Sequence, residues 1–232
     1  MINIFKNLFS KKESEQSKPT NYKAGYLNLQ IDNTSKKIHF GAPSNFVAPK
    51  KIDNRDMALQ SNQQGNLPYC AGYAICGFCE IYNWRIKHYP EQLDAIACYE
   101  KAKQLEGNNN NYDGTTLEFA ADAAIQLNYI EGKKQIVTKS KNSVKFAIHQ
   151  YNSCIGGFLI DSSWNQCDTK TGRIPKLQNP QTLGGHAVLI CGYDEEGVYI
   201  QNSWSIEWGL YGFCLLSWDL FDQQFVYGII IS

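Results

Sequence analysis

The sequence has no excess of charge of either sign. Lys and Arg together number 22, Asp and Glu together also 22, and the formal net charge is zero. That balance removes the electrostatic reason to expect nucleic acid or an anionic membrane as a partner. No stretch approaches the roughly 20 apolar residues of a transmembrane helix. The apolar N-terminal part, Met1 to Phe9, is interrupted by Lys6 and Asn7 and is too short for the hydrophobic region of a secretory signal. These gaps point to a cytoplasmic protein, with export by other machinery left open. Eight cysteines would build a disulfide framework only in an oxidising compartment, so mostly reduced thiols are expected. There is no internal repeat. Histidine is scarce, with four in the chain, which narrows any search for a base.

What is present suits a packed globule. The 232 residues are 43% hydrophobic and 13% aromatic, enough for one domain with two lobes or two small domains. Residues 1–22 read as a flexible, lysine-rich tail and 23–50 as a leading arm. From Leu67 a helical pattern begins, with Ala71, Ala74, Ile75, Phe78, Ile81 and Tyr82 at three-to-four spacing, Pro68 suited to the first turn and Pro90 as the stop. A second helix is expected over 91–105 with Gly107 ending it. A third starts from Thr115 or Thr116 as N-cap and runs towards Asn128. "NNNN" at 108–111 reads as a polar loop. After a short helix at 143–151 come strand-like runs at 155–161, 186–194, 197–204, 211–218 and 225–231. Their close spacing favours antiparallel hairpins. The fold class is therefore α+β, a helical lobe followed by a β lobe, and the cleft between lobes is the natural site.

One constellation carries chemistry. Cys70 falls in the first turn of the first helix, where the backbone N–H groups favour a thiolate. A thiol nucleophile also needs an imidazole. His39 lies in the leading arm, His88 near a helix end and His149 on a short amphipathic helix. His186 instead follows "GG", opens an apolar strand and stands 16 positions before Asn202. Adjacent antiparallel strands would bring Asn202 to one ring nitrogen and leave the other for the thiol. Gln64, six positions before Cys70, can offer its amide, with the Cys70 N–H, to the oxyanion of an acyl transfer.

The segments "QGNLPYCAGYA", "GGHAVLICGYD" and "IQNSWSIEWGLYGFCLL" together resemble the papain-like cysteine peptidases (clan CA, family C1), from about Lys51 to the C-terminus. The handful of motifs occurs in the family's order, and the separation of Cys, His and Asn is a known feature of that family. The resemblance implies a two-lobe fold over 51–232, with a helical lobe at about 60–135 and a β-barrel-like lobe at about 136–232. It implies Gln64 as oxyanion donor, Cys70 as nucleophile, His186 as base and Asn202 as its orienter. Trp204 would shield the Asn–His bond from water, and Gly114 and Gly185 would border the substrate. The expected partner is a peptide or protein, the expected reaction is peptide-bond hydrolysis, and neither metal nor organic cofactor is implied. Other readings are a deamidase, amidase or acyltransferase on the same fold, and an inactive binding domain. The residues ahead of the domain are too few for the family's helical pro-domain but enough for a short, self-inhibiting arm.

The chain departs from the family at three places. Ala71 stands where an aromatic is usual, Leu67 replaces a disulfide cysteine, and Ser205 replaces a glycine. The remaining features read as structural. Cys76 and Cys79 form a C-x-x-C inside a helix with no second pair at metal-ligand spacing, so they read as packing. Cys98, Cys154, Cys167, Cys191 and Cys214 read likewise. Asp113 reads as a turn residue and Trp164 as cleft rim or core.

Overall fold

A computed structural model describes residues 38–60, 63–89, 91–107 and 113–232. The tail at 1–22, the arm up to residue 37, Pro90 and the asparagine loop lie outside the described residues. Three helices come first: α1 (Cys70–Lys87), α2 (Ala95–Glu106) and α3 (Leu117–Gln126). They follow two short strands, β1 (His39–Phe40) and β2 (Ile52–Asp53). Then come β3 (Lys134–Val137), α4 (Lys141–Tyr151), β4 (Cys154–Asp161), β5 (Thr182–Tyr193), β6 (Gly197–Gln201), β7 (Phe213–Ser217), α5 (Trp218–Gln224) and β8 (Phe225–Ile231). The strands form one sheet in the order β1-β3-β8-β4-β5-β6-β7, with β2 added to the end of β5. All pairings but β1–β3 are antiparallel. The α+β class expected from the sequence is the class observed.

Local chemistry sets the helix ends. α1 starts at Cys70 itself, with Tyr69 as N-cap, so Pro68 precedes the helix rather than occupying its first turn. A turn closed by the Leu67 N–H on the Gln64 carbonyl uses up the residues before it. α2 starts four residues later than the expected position 91, because the Asp94 carboxylate accepts from the N–H groups of Ile96 and Ala97, both at 3.0 Å. Thr116 caps α3 through the Phe119 N–H. α1 is buried along most of its length and lies between α2 and β5. Two glycines permit this. A Cβ on Gly72 would strike the Ala95 carbonyl, and one on Gly77 would come within 3.0 Å of Leu189. α1 is thus clamped against the strand that carries His186.

The β lobe has its own aromatic core, in which Phe158, Phe221 and Phe225 pack face and edge. The described part of the leading arm joins this lobe. Phe40 stacks on Phe146 of α4 at 5.2 Å, and Phe46 meets the same ring edge-on at 4.8 Å. Further on, the Asn54 N–H donates to the Cys191 carbonyl and the Gln201 amide to the Leu59 carbonyl.

Candidate active site

Cys70 is the first residue of α1, so its side chain leaves the helix where the N–H groups are unpaired. β5 passes beside it. His186 pairs in register with Phe158 of β4, and the Ala187 N–H lies within hydrogen-bonding reach of the Cys70 thiol. Asn202 follows directly on β6, the next strand across. Its Oδ1 lies 2.8 Å from His186 Nε2 and also accepts the Ser203 N–H at 2.8 Å. The second bond settles the first. An atom that accepts from a backbone N–H is the amide oxygen, so Nε2 must be the ring's donor. The imidazole therefore carries its proton on Nε2, and Nδ1 keeps a lone pair. Nδ1 is buried and makes no hydrogen bond among the described residues.

Gln64 is held from two sides. Its backbone N–H donates to the Ser203 carbonyl at 2.8 Å. Its Oε1 accepts the Ser203 hydroxyl at 2.5 Å, and its Nε2 donates one hydrogen to the Leu67 carbonyl at 2.8 Å. With the oxygen end fixed, the second amide hydrogen is oriented rather than free to swap ends. Ser203 is the residue that the sequence did not single out, although it sits in the "NSW" segment. It joins the Gln64 loop to the Asn202 strand end, and a bridge between Gln63 and Trp204 continues that seam.

A cage of indoles closes over the histidine. Trp204 lies 5.0 Å from His186 at 32°, and Trp164 meets it edge-on at 5.9 Å. Trp208 stacks on Trp164 and donates its indole N–H to the Trp164 carbonyl at 2.9 Å. Trp164 donates in turn to Gln224 of α5 at 2.8 Å. The sequence marks Trp204 for the shielding place. Trp164, read as rim or core, is a fully buried second wall of the same cage.

Burial decides the resting charges. Cys70, His186, Gln64 and Asn202 are all at most 2% exposed. Desolvation pushes the Cys70 thiol up to about 12, against the lowering effect of the N–H groups of Ala187, Ala71 and Cys70 itself. The sequence expectation of a thiolate at the helix N-terminus thus gives way to a neutral thiol, because those donors offset only part of the desolvation. Desolvation also lowers His186 to about 4, partly countered by its bond to Asn202.

Of the residues expected to border the substrate, Gly185 is half-buried beside His186 on β5. Gly114 is buried at φ 105°, ahead of α3, and its N–H donates to the Tyr99 hydroxyl at 3.2 Å. Tyr99 packs against Tyr69, the residue before Cys70, at 4.5 Å. Gln64, Cys70, His186, Asn202 and Trp204 are brought together, and Gly114 is linked to the segment before Cys70 through Tyr99 and Tyr69.

Behind the site, Asn202 and Ser203 line a small cavity with Gln201, Gly77 and Glu80 of α1. Glu80 accepts the Leu93 N–H at 2.9 Å, and burial raises its carboxyl to about 7. Its neutral form is favoured in the fold, so its contribution to stability is full below pH 4.5 and lost as pH rises to 7. His186 has the opposite sign: its contribution is full above pH 6.5 and lost as pH falls towards 4. Each is worth about 3 kcal/mol. The two slopes oppose each other between pH 4.5 and 6.5, so stability in denaturant should be nearly flat there. Glu80→Gln keeps the acceptor for Leu93 and removes one slope. Its unfolding free energy should climb by about 2–3 kcal/mol from pH 4.5 to 6.5, and a flat profile would show that His186 is not buried neutral.

No family model matches the sequence, and no curated protein matches it. Solved structures do. Xylellain, a cysteine protease from Xylella fastidiosa, is 19% identical with a TM-score of 0.75, covering 91% of this chain and 97% of that one. Procathepsin B S9 from Trypanosoma congolense is 12% identical with a TM-score of 0.68, covering 90% and 86%. A digestive procathepsin L2 proteinase from Tenebrio molitor larval midgut is 15% identical with a TM-score of 0.66, covering 91% and 78%. The helices, the sheet and these likenesses together make this the papain-like fold of the cysteine proteases.

Proposed function

We propose that this chain is a cysteine-type peptidase that hydrolyses peptide bonds through an acyl-enzyme. The observation that carries this reading is the double acceptance at Asn202 Oδ1, which leaves His186 Nδ1 as an unprotonated base on β5, one residue before the Ala187 N–H that meets the Cys70 thiol. The thiol sulfur attacks the substrate carbonyl while its proton passes to Nδ1. The oxyanion is met by the second Gln64 amide hydrogen and the Cys70 N–H. The imidazolium then protonates the departing amine. Water attacks the thioester with His186 again as base, releasing the acid and restoring the thiol. Since both groups rest neutral, proton transfer accompanies attack, and the adjacent opposite charges formed offset part of their desolvation.

Two expectations follow from that sequence of steps. A proteome treated with the protein should yield new peptide termini by mass spectrometry; gains of about 1 Da at Gln or Asn without new termini would replace hydrolysis of the chain with deamidation. The acid limb of kcat/KM should fall near pH 4, because His186 stays an available base down to that pH. A limb near 6.5 would mean a solvated histidine.

A further inference from the structure

We propose that Gln224, the last residue of α5, is a positioning residue for the reaction: acting through Trp164, it holds in place the indole wall that keeps water from His186. The role rests on His186 being the base of the proposed peptidase. Gln224 is 4% exposed, and its amide is bonded at both ends. Oε1 accepts the Trp164 indole N–H at 2.8 Å, and Nε2 donates to Asp161 Oδ2 at 2.8 Å. The other Asp161 oxygen accepts the Ser163 N–H at 2.9 Å. An indole N–H can only donate and a carboxylate can only accept, so the amide fits one way round. A chain of bonds thus runs from the Ser163 N–H through Asp161 and Gln224 to Trp164, which meets the His186 ring edge-on at 5.9 Å.

The sheet sets this chain against the histidine. Phe225, next after Gln224, pairs with Phe158 of β4, and Phe158 pairs with His186 of β5, so one row crosses three adjacent strands. Trp164 lies on that row, 6.0 Å from the Phe158 ring. An apolar side chain at 224 would fill the space but leave a buried indole N–H without an acceptor. The ring would then turn towards solvent, or water would enter to meet it.

Water at that wall matters because burial, not a neighbouring charge, governs the imidazole. Burial is the larger cause of its lowered pKa, and the bond to Asn202 opposes it. The titratable groups on the surrounding elements are otherwise engaged. Asp161 is held by Gln224 and the Ser163 N–H. Asp219 and Asp222 of α5 are exposed and paired with Lys176 and Lys141, Glu207 beside Trp208 is exposed, and the Cys70 thiol rests neutral. Loosening Trp164 therefore moves His186 towards the behaviour of a solvated histidine.

The test follows the His186 ring by NMR through its protonation in the full chain carrying Cys70→Ala, its signals assigned by their loss in His186→Ala. In Gln224→Met, which keeps the length but neither bond, the midpoint should rise from about 4 by about one unit or more. Trp164→Phe, which removes the donor at the other end, should raise it too, and the double variant no further than the larger single change. Gln224→Glu shares one proton with Asp161, keeping both bonds and the parent's charge, so its midpoint should stay within about half a unit of the parent. With Cys70 restored, the acid limb of kcat/KM in Gln224→Met should move with the NMR midpoint while the neutral-pH value stays within about threefold. An unmoved midpoint in folded Gln224→Met, or in Trp164→Phe if Gln224→Met does not fold, overturns the proposal, as do fully additive shifts in the double variant. The NMR reading needs no turnover, so a parent chain that cleaves no peptide removes the peptidase reading and still leaves the hold of Gln224 on His186 to be judged.

Discussion

Replacing Cys70 by alanine lowers peptide turnover by about 10⁴-fold or more, with the fold unchanged. The size follows from what the thiol supplies. Without it the route through a covalent intermediate is closed, and only binding and the oxyanion donors remain. The change is small structurally. Cys70 is buried at the helix start, and alanine keeps the backbone N–H and the helix propensity while removing one sulfur. Circular dichroism and Tm of the variant should therefore match the parent to within a few degrees. Undiminished cleavage of the same peptide library by Cys70→Ala would remove Cys70 from the reaction and with it the peptidase assignment.

Gln64→Ala should be the next most costly change, about 10²–10³ in kcat with little change in KM. A donor aimed at the oxyanion acts only once charge develops there, so its loss is felt in the transition state. The geometry makes the amide rigid. Ser203 holds the oxygen end and the Leu67 carbonyl takes one N–H. Little reorganisation is then needed when the oxyanion forms. Ser203→Ala tests this from behind. It leaves the Gln64 amide in place but free to reorient, so kcat should fall less, by about tenfold, which is one ordinary hydrogen bond's worth. A Gln64→Ala enzyme with unchanged kcat would place the oxyanion elsewhere.

The candidate site was legible because its parts sit on short, ordered segments. Cys70 is marked by a helix start, His186 by the apolar strand it opens, and Asn202 by the strand that must pair next to it. The pairing itself came out as expected, with Leu189 opposite Gln201 and Ile190 opposite Ile200. Long strands with apolar runs were found, but their ends were not. β5 begins at Thr182, four residues before its apolar stretch, because Leu159, Ile160 and Asp161 of β4 continue the ladder past the histidine. The two-residue strands β1 and β2 have no periodicity to read and exist only through partners far along the chain. α5 is too short for a helical pattern to show, and Ser217 caps it through the Leu220 N–H.

The charge state of the site was the least legible feature. A helix N-terminus favours a thiolate as a local rule. Desolvation depends on everything packed around the sulfur, including β5 at Ala187, and no local pattern reports it. The indole cage is similar. Trp164 is distant in sequence from Trp204 and Trp208 and meets them only because the segment after β4 folds back over the Asn202 loop.

Labelling of Cys70 by an epoxysuccinyl peptide tests the central claim most directly, because it reads the thiol and its base together. Intact mass and peptide mapping should show one equivalent on Cys70 near neutral pH, with the other seven buried cysteines unmodified. His186→Ala should slow that labelling by at least about 10²-fold, since the proton then has no acceptor. Equal labelling rates with and without His186, or cleavage of peptides by a protein whose Cys70 never reacts, would contradict the account.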